Sequence, residues 1–248
     1  MKYIFIILVL CSCNNIVKSN RHEFSKEVLD TIRIAPPAIM TKPAIFETAF
    51  TAANTQIIKD RKVTVTGITI GNVRISSGRI IACDPMHIDE YGIPFTQTFP
   101  TGEFPVQLAI ANVEGEETNA FVRIKFSDEP VVRWEFALQK DQSPIPFGGL
   151  KSYGYGVDGG TGIFIDEAAA KIVNQDDLRN FEAPMFKEMM KHYHGGWKFT
   201  MYNFGQHNLA AFSTGLGDGR YSTYIGFDAK GQPCRLLTDF AFFEWSAN

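Results

Sequence analysis

From Lys62 onward the chain repeats one constraint: apolar and polar residues alternate singly, in segment after segment. Successive side chains of a strand point to opposite faces. This period of two therefore commits the chain to sheets with one face on a core and one wetter face. Val63-Thr64-Val65-Thr66 and Ile68-Thr69-Ile70 are β-branched runs, and Asn72 to Ile75 extend them past Gly71. Ser76-Ser77-Gly78 reads as a turn, so Arg79 to Cys83 is expected to return beside that strand as a hairpin. Pro85, with no N–H to donate, ends it. Phe104, Val106, Leu108 and Ile110 share a face, as do Val122, Ile124 and Phe126, and Val132, Trp134, Phe136 and Leu138. Their neighbours Gln107, Arg123, Lys125, Arg133, Glu135 and Gln139 make the other face polar, as in antiparallel sheets.

The period changes again at Asp166-Glu167, which opens an alanine-rich helical stretch. Asp176 to Tyr193 continues as a second helix, interrupted at Pro184 and stopped by Gly195-Gly196. Strands return over Trp197 to Phe204, Leu209 to Ser213, Tyr221 to Phe227 and Arg235 to Glu244, with Asp228-Ala229-Lys230-Gly231 as a hairpin loop joining the last two. Upstream, Phe24 to Ile34 makes a brief helix before Pro36-Pro37, and Ala44 to Ile58 has weak helical character without a clear face. No fixed-period repeat or low-complexity linker divides the chain. The expected fold is α+β: a mostly antiparallel β-sheet or sandwich with one helical segment inserted before the C-terminal strands, forming a single domain over residues 26–248.

The N-terminus reads differently. Met1-Lys2 is followed by the apolar run Tyr3 to Leu10 and then by Leu10-Cys11-Ser12-Cys13, the order of a lipoprotein signal peptide over residues 1–12. The run is too short for a membrane span, which takes about 20 residues. Acylation at Cys13 would leave residues 13–25 as a tether and place the domain on a membrane of the bacterial cell envelope. Cys11, preceded by bulky Leu10, fits the anchor less well; an apolar first strand of a cytosolic protein is the alternative reading. Cys83 and Cys234 are read as separate buried thiols, with a disulfide as the alternative. A net charge of −3 and scattered Lys and Arg leave no footprint for nucleic acid, so none is expected as a partner.

Candidate chemistry concentrates in Asp-Gly turns. Asp84 stands at a strand end before a proline, Asp158 leads a loop with three glycines, and Asp218 lies between two glycines before a strand. If the three turns meet at one end of the sheet, their carboxylates could bind a small ligand or cation, with Asp166, Asp228, Asp239 and His87 in support. Asp and Gly also build ordinary turns without any ligand. Asp158-Gly159-Gly160-Thr161-Gly162 has the form of a phosphate-binding turn of actin-like ATPases, in a chain too short for that two-lobed fold. Thr161 and Tyr221 are therefore added to the candidate ligand-binding set, and Tyr153, Tyr155 and Tyr224 could line a pocket. Ser213 lacks a nucleophile elbow, Cys83 with His87 has no fixed geometry, and His192 and His194 point apart on a helix. Two functions follow: a lipid-anchored binding or interaction domain whose small ligand or protein partner is unknown, or a metal-assisted envelope hydrolase using Asp84, Asp158 and Asp218. Neither the cofactor nor any catalytic residue is identified by these motifs.

Four signatures recur in order: Ser77-Gly78-Arg79-Ile80 leading to Cys83-Asp84-Pro85; Phe99-Pro100-Thr101-Gly102 with Phe104-Pro105-Val106; Tyr155 to Gly162; and Phe212 to Gly219 with Tyr221 and Tyr224. Over residues 60 to 243 the series resembles the bacterial family known as domain of unknown function 4241. The resemblance implies one recurring domain and carries no catalytic role. Gly159 stands where that family more often has Ala, and Leu216 where Trp is common.

Overall fold

The computed structural model describes residues 42–51, 53–58 and 61–245, so the signal, the tether and the Phe24 to Ile34 helix lie outside the described residues. Its strands are β1 (Asn54–Ile58), β2 (Arg61–Ile75), β3 (Ile80–Cys83), β4 (Gly102–Val113), β5 (Glu116–Lys125), β6 (Arg133–Phe136), β7 (Tyr155–Val157), β8 (Thr161–Asp166), β9 (Tyr193–His194), β10 (Trp197–Phe204), β11 (His207–Ser213), β12 (Gly219–Phe227) and β13 (Pro233–Asp239). Four short helices accompany them: α1 (Ile45–Thr48), α2 (Ile88–Tyr91), α3 (Glu167–Ala170) and α4 (Pro184–Met190). An eight-stranded antiparallel sheet runs β1-β2-β4-β5-β13-β12-β6, with β7 also paired to β12. A five-stranded sheet runs β3-β8-β11-β10-β9. The fold is the expected β-rich, sandwich-like α+β arrangement.

The two sheets face each other across a core in which Val106, Leu108 and Ile110 of β4 and Val122 and Ile124 of β5 join Phe164 of β8 and Phe212 of β11. The outer face of the small sheet is covered too. Ile81, Ile163, Ile165 and Leu209 lie under Ala169, Met185, Phe186 and Met189 of α3 and α4 and their connection. On the outer face of the large sheet, Ala109, Ala111, Phe121 and Leu237 lie under Phe46 and Ala49 of α1 with its neighbour Phe50, and under Phe242, Phe243 and Trp245. Burying both faces of both sheets removes far more apolar surface from water than a one-sided sandwich would.

Over β5 and β13 that cover corrects the expected wet face, whereas Arg133 and Glu135 of β6 stay exposed as expected. Arg123 and Arg235 are buried, and both reach Glu47 on α1: Arg123 Nη1 donates to Oε1 at 3.2 Å, and Arg235 Nε and Nη2 donate to Oε1 and Oε2 at 3.2 and 3.3 Å. The Arg123 guanidinium also lies 4.0 Å from the Phe50 ring centroid. Planar guanidinium groups, paired and stacked, can be covered where isolated charges could not.

The expected hairpin at Ser76-Ser77-Gly78 does not form. The chain crosses there from the large sheet to the small one: β2 pairs with β1 and β4, whereas β3 pairs with β8 in the register Ile80 opposite Asp166. Every residue of β3 is buried, so the strand requires cover on both sides, which the small sheet supplies. Gly78 takes φ +72° to make the crossing. Within Ala44 to Ile58, the expected helical character is limited to α1, and β1 follows.

In the helical segment, Pro184 is the first residue of α4 rather than an interruption, because its missing N–H needs no partner in a first turn. Gly195-Gly196 does not stop a helix. It turns the β9–β10 hairpin, with His194 opposite Trp197 and Gly195 at φ +68°. His192 and His194 are therefore not helical neighbours; their rings stack on Phe199 and Trp197 with centroids 4.8 and 4.3 Å apart. The last strand ends at Asp239 instead of Glu244, and β7 and β8 lie where no strand was expected.

Candidate loop site at one end of the sandwich

Asp84 follows β3 and caps the short 3-10 turn Pro85–His87, its Oδ1 accepting the Met86 N–H at 2.8 Å. Its Oδ2 accepts two further N–H groups from a distant part of the chain, Asp158 at 2.9 Å and Gly159 at 3.2 Å. At 2% exposed, Asp84 is thus a buried clasp between two loops. A buried carboxylate is tolerable there because three backbone donors replace the water it has lost.

The third loop closes on the same turn. Asp218 Oδ1 accepts the Gly160 N–H at 3.0 Å, and the Gly160 carbonyl accepts the Thr214 N–H at 3.1 Å. Gly160 adopts φ +59° and Gly217 φ +101°, so both positions use the left-handed backbone open to glycine. The three Asp-Gly loops therefore meet at one end of the sandwich.

They do not present three carboxylates to one ligand. Asp84 is buried, whereas Asp218 is exposed and the Asp158 side chain is 85% exposed, with its Oδ2 3.8 Å from His87 Nε2. Thr161 is fully buried, its hydroxyl 3.4 Å from the Gly159 carbonyl. Tyr221 is also buried, its hydroxyl 2.7 Å from the Gly217 carbonyl and 3.1 Å from that of Thr214. Burial pushes that hydroxyl up to about 12, keeping it a neutral donor. Both side chains build the loops from within. Of the supporting candidates, Asp166 faces Ser76 and Ser77 and caps α3, and Asp228 accepts Lys230 and Gln232 N–H groups in the hairpin at the far end of β12. Among the described residues, no three His, Cys, Asp or Glu side chains gather as a metal ion would need.

The outer surface of these loops is partly apolar. Tyr91 is 53% exposed, Phe181 51% and Leu216 36%. The Tyr91 ring lies 5.9 Å from that of His87. A Cβ added to Gly159 would fall 2.3 Å from Met86 Cε and 3.5 Å from Phe181 Cζ, so these two side chains close over the loop. An alanine there would need only the flexible end of Met86 to move.

The nucleophile candidates are sealed. Burial, with the Asp84 charge, pushes the Cys83 thiol far up, and His87 reaches Asp158. Cys234 is likewise buried, under the opposite outer layer, and both thiols are free. Sequence reasoning named Asp239 only as a helper, yet it is a buried carboxylate at the edge of a cleft on the outer face of the large sheet. Its cleft neighbour Arg220 was not named at all.

Searches of curated proteins and of solved structures find no match to the chain. The model of one family matches residues 73–238, a stretch that holds all four recurring signatures and all three Asp-Gly loops. The chain belongs to the family described as protein of unknown function (DUF4241).

Proposed function

We propose that this protein is a binding domain of the bacterial cell envelope, anchored by lipid at Cys13, that docks a protein partner through its Asp-Gly loop face. The observation that carries this reading is the clasp of Asp84 on the Asp158–Gly159 backbone. It commits the buried carboxylate to holding loops still and leaves Asp158, His87, Tyr91, Phe181 and Leu216 on a rigid outer surface. Rigid aromatic side chains rimmed by charge suit protein recognition, since little conformational freedom is lost on binding. Asp89 pairs with Arg179 at 3.6 Å, while Glu90, Asp158 and Asp218 leave exposed carboxylates on the rim, which favours a partner with basic groups around an apolar anchor. Among the described residues no helix is long and apolar enough to cross a membrane, so the membrane attachment proposed here rests on Cys13 and the segment before it.

A photo-crosslinking side chain placed at Phe181 of the full-length protein in cells tests the reading. It should give one discrete adduct that weakens when Asp158→Lys is added. The same probe at Lys230, in the hairpin at the far end of β12, should give none. Equal adducts from both positions, or none from Phe181, would sink the docking face. Loss of fatty-acid labelling in Cys13→Ala is expected as well; equal labelling would remove the anchor while leaving the docking face standing.

A further inference from the structure

The outer face of the large sheet holds a second site. Near the ends of β12 and β13, with Ser222 opposite Asp239, the C-terminal segment Ala241 to Trp245 and the Gly148 to Ser152 loop leave a cleft of about 200 Å³. That is room for about seven waters at their liquid volume, or for a ligand of roughly ten heavy atoms.

Its lining is chemically uneven. Arg220, Ser222 and Tyr224 project to the same side of β12, spaced by about 7 Å along the strand. Asp239 is 7% exposed; its oxygens accept the Ala241 N–H at 2.8 Å and the Trp245 indole N–H, which leaves each oxygen with an unused lone pair. Ala241 stands at φ +56°, a conformation unfavourable for any residue but glycine, to place that N–H. Arg220 and Glu244 form no side-chain ion pair or hydrogen bond with any other described residue. Among the described residues, a cation and a carboxylate without side-chain partners and one buried carboxylate thus share a small cleft with the aromatic rings of Tyr224, Trp245 and Phe136.

A ligand carrying only negative charge would set it against Asp239 and Glu244, and one carrying only positive charge would face Arg220. A small molecule with both signs satisfies all three groups at once. We propose that this cleft binds a free α-amino acid with an apolar side chain: Arg220 holds its carboxylate, Asp239 and Glu244 receive its ammonium group, and the aromatic wall takes the side chain. Arg suits the first role because its planar donors match a carboxylate two at a time. The site is separate from the loop face and does not depend on the docking partner proposed there.

Calorimetry and thermal melting of the full-length protein with leucine, methionine and phenylalanine at millimolar concentration test it. At least one should bind and raise the melting temperature, as any ligand selective for the folded state must. The amine lacking the carboxylate, and the acid lacking the amino group, should each bind about tenfold more weakly or worse. Arg220→Gln, a change at an exposed position that leaves the fold intact, should weaken binding by a similar factor, and Asp239→Asn should do the same. No melting shift with any of the three amino acids, equal binding of either truncated analogue, or unchanged affinity in Arg220→Gln would overturn the assignment.

Discussion

Asp166 and Asp239 are both buried aspartates at the C-terminal ends of strands, one in the small sheet and one in the large, and their acidities move in opposite directions. Asp166 accepts five hydrogen bonds, from the N–H and hydroxyl of Ser76, the N–H and hydroxyl of Ser77, and the N–H of Ala168. Burial raises its pKa, but these donors, Ser77 foremost, outweigh burial and hold the carboxyl below its usual value. Asp239 accepts two, from Trp245 and Ala241, and burial wins, pushing it up to about 6. Burial alone therefore says little about a carboxylate; the number of donors aimed at it decides. A fully served aspartate is a structural joint, and an under-served one is free to meet a ligand.

The largest effect expected from this contrast is at Asp166. Asp166→Ala leaves the Ser76, Ser77 and Ala168 N–H groups without their acceptor and should cost about 3–5 kcal/mol in urea unfolding at neutral pH. A loss below about 1 kcal/mol would mean that water replaces the carboxylate, and the contrast would fail.

Next comes pH. The folded pKa of Asp239 lies above its ordinary value, so the folded state binds more protons than the unfolded state between about pH 4 and 6. Stability is then greatest at the acid end of that window and declines as pH rises through it, by about 3 kcal/mol. In Asp239→Asn the decline should disappear. Asp166, with its lowered pKa, acts oppositely: its contribution is present above the ordinary carboxylate pKa and is lost as pH falls below it. Unfolding free energies measured from pH 3 to pH 7 separate the two, since Asp239→Asn flattens only the upper limb. An identical profile in variant and wild type would refute the assignment.

The smallest effect is expected at Asp218, exposed and bonded to one N–H of Gly160. Asp218→Ala should lower stability by no more than about 1 kcal/mol, because water reaches the freed donor. A cost equal to that at Asp166 would show that exposure is irrelevant and donor number is not the controlling variable.

How much was legible in the sequence follows the same physical divide. β4 and β5 were readable because each alternates between a strongly apolar set and a set containing Gln107 or Arg123, and the bounds of β10 were read to the residue. β8 was not, because Thr161–Asp166 is buried at every position and carries no alternation to detect. β3, buried throughout, was seen as a strand but given the wrong neighbour, since nothing in four apolar residues specifies which sheet they enter. At the site, the positions of Asp84, Asp158 and Asp218 at strand ends were legible, whereas their meeting was only a condition that the sequence posed. The inward burial of Asp84 was not, because it depends on the β3–β8 pairing that brings residues 84 and 158 together. Arg220, and the cleft it shares with Asp239, escaped for a related reason: the two residues come from neighbouring strands whose register shifts at Gly226 and Phe227.

The grip of Arg123 and Arg235 on Glu47 has a mechanical consequence. A pull applied at Lys42, just before α1, loads that helix directly, and it is only four residues long. Little in so short a helix resists tension by itself, so the load passes to the carboxylate held by two guanidinium groups rooted in the adjacent strands β5 and β13. Both strands lie in the interior of the large sheet, not at its edge, so force entering at Glu47 is spread across the sheet before it can unzip the terminal strand β1.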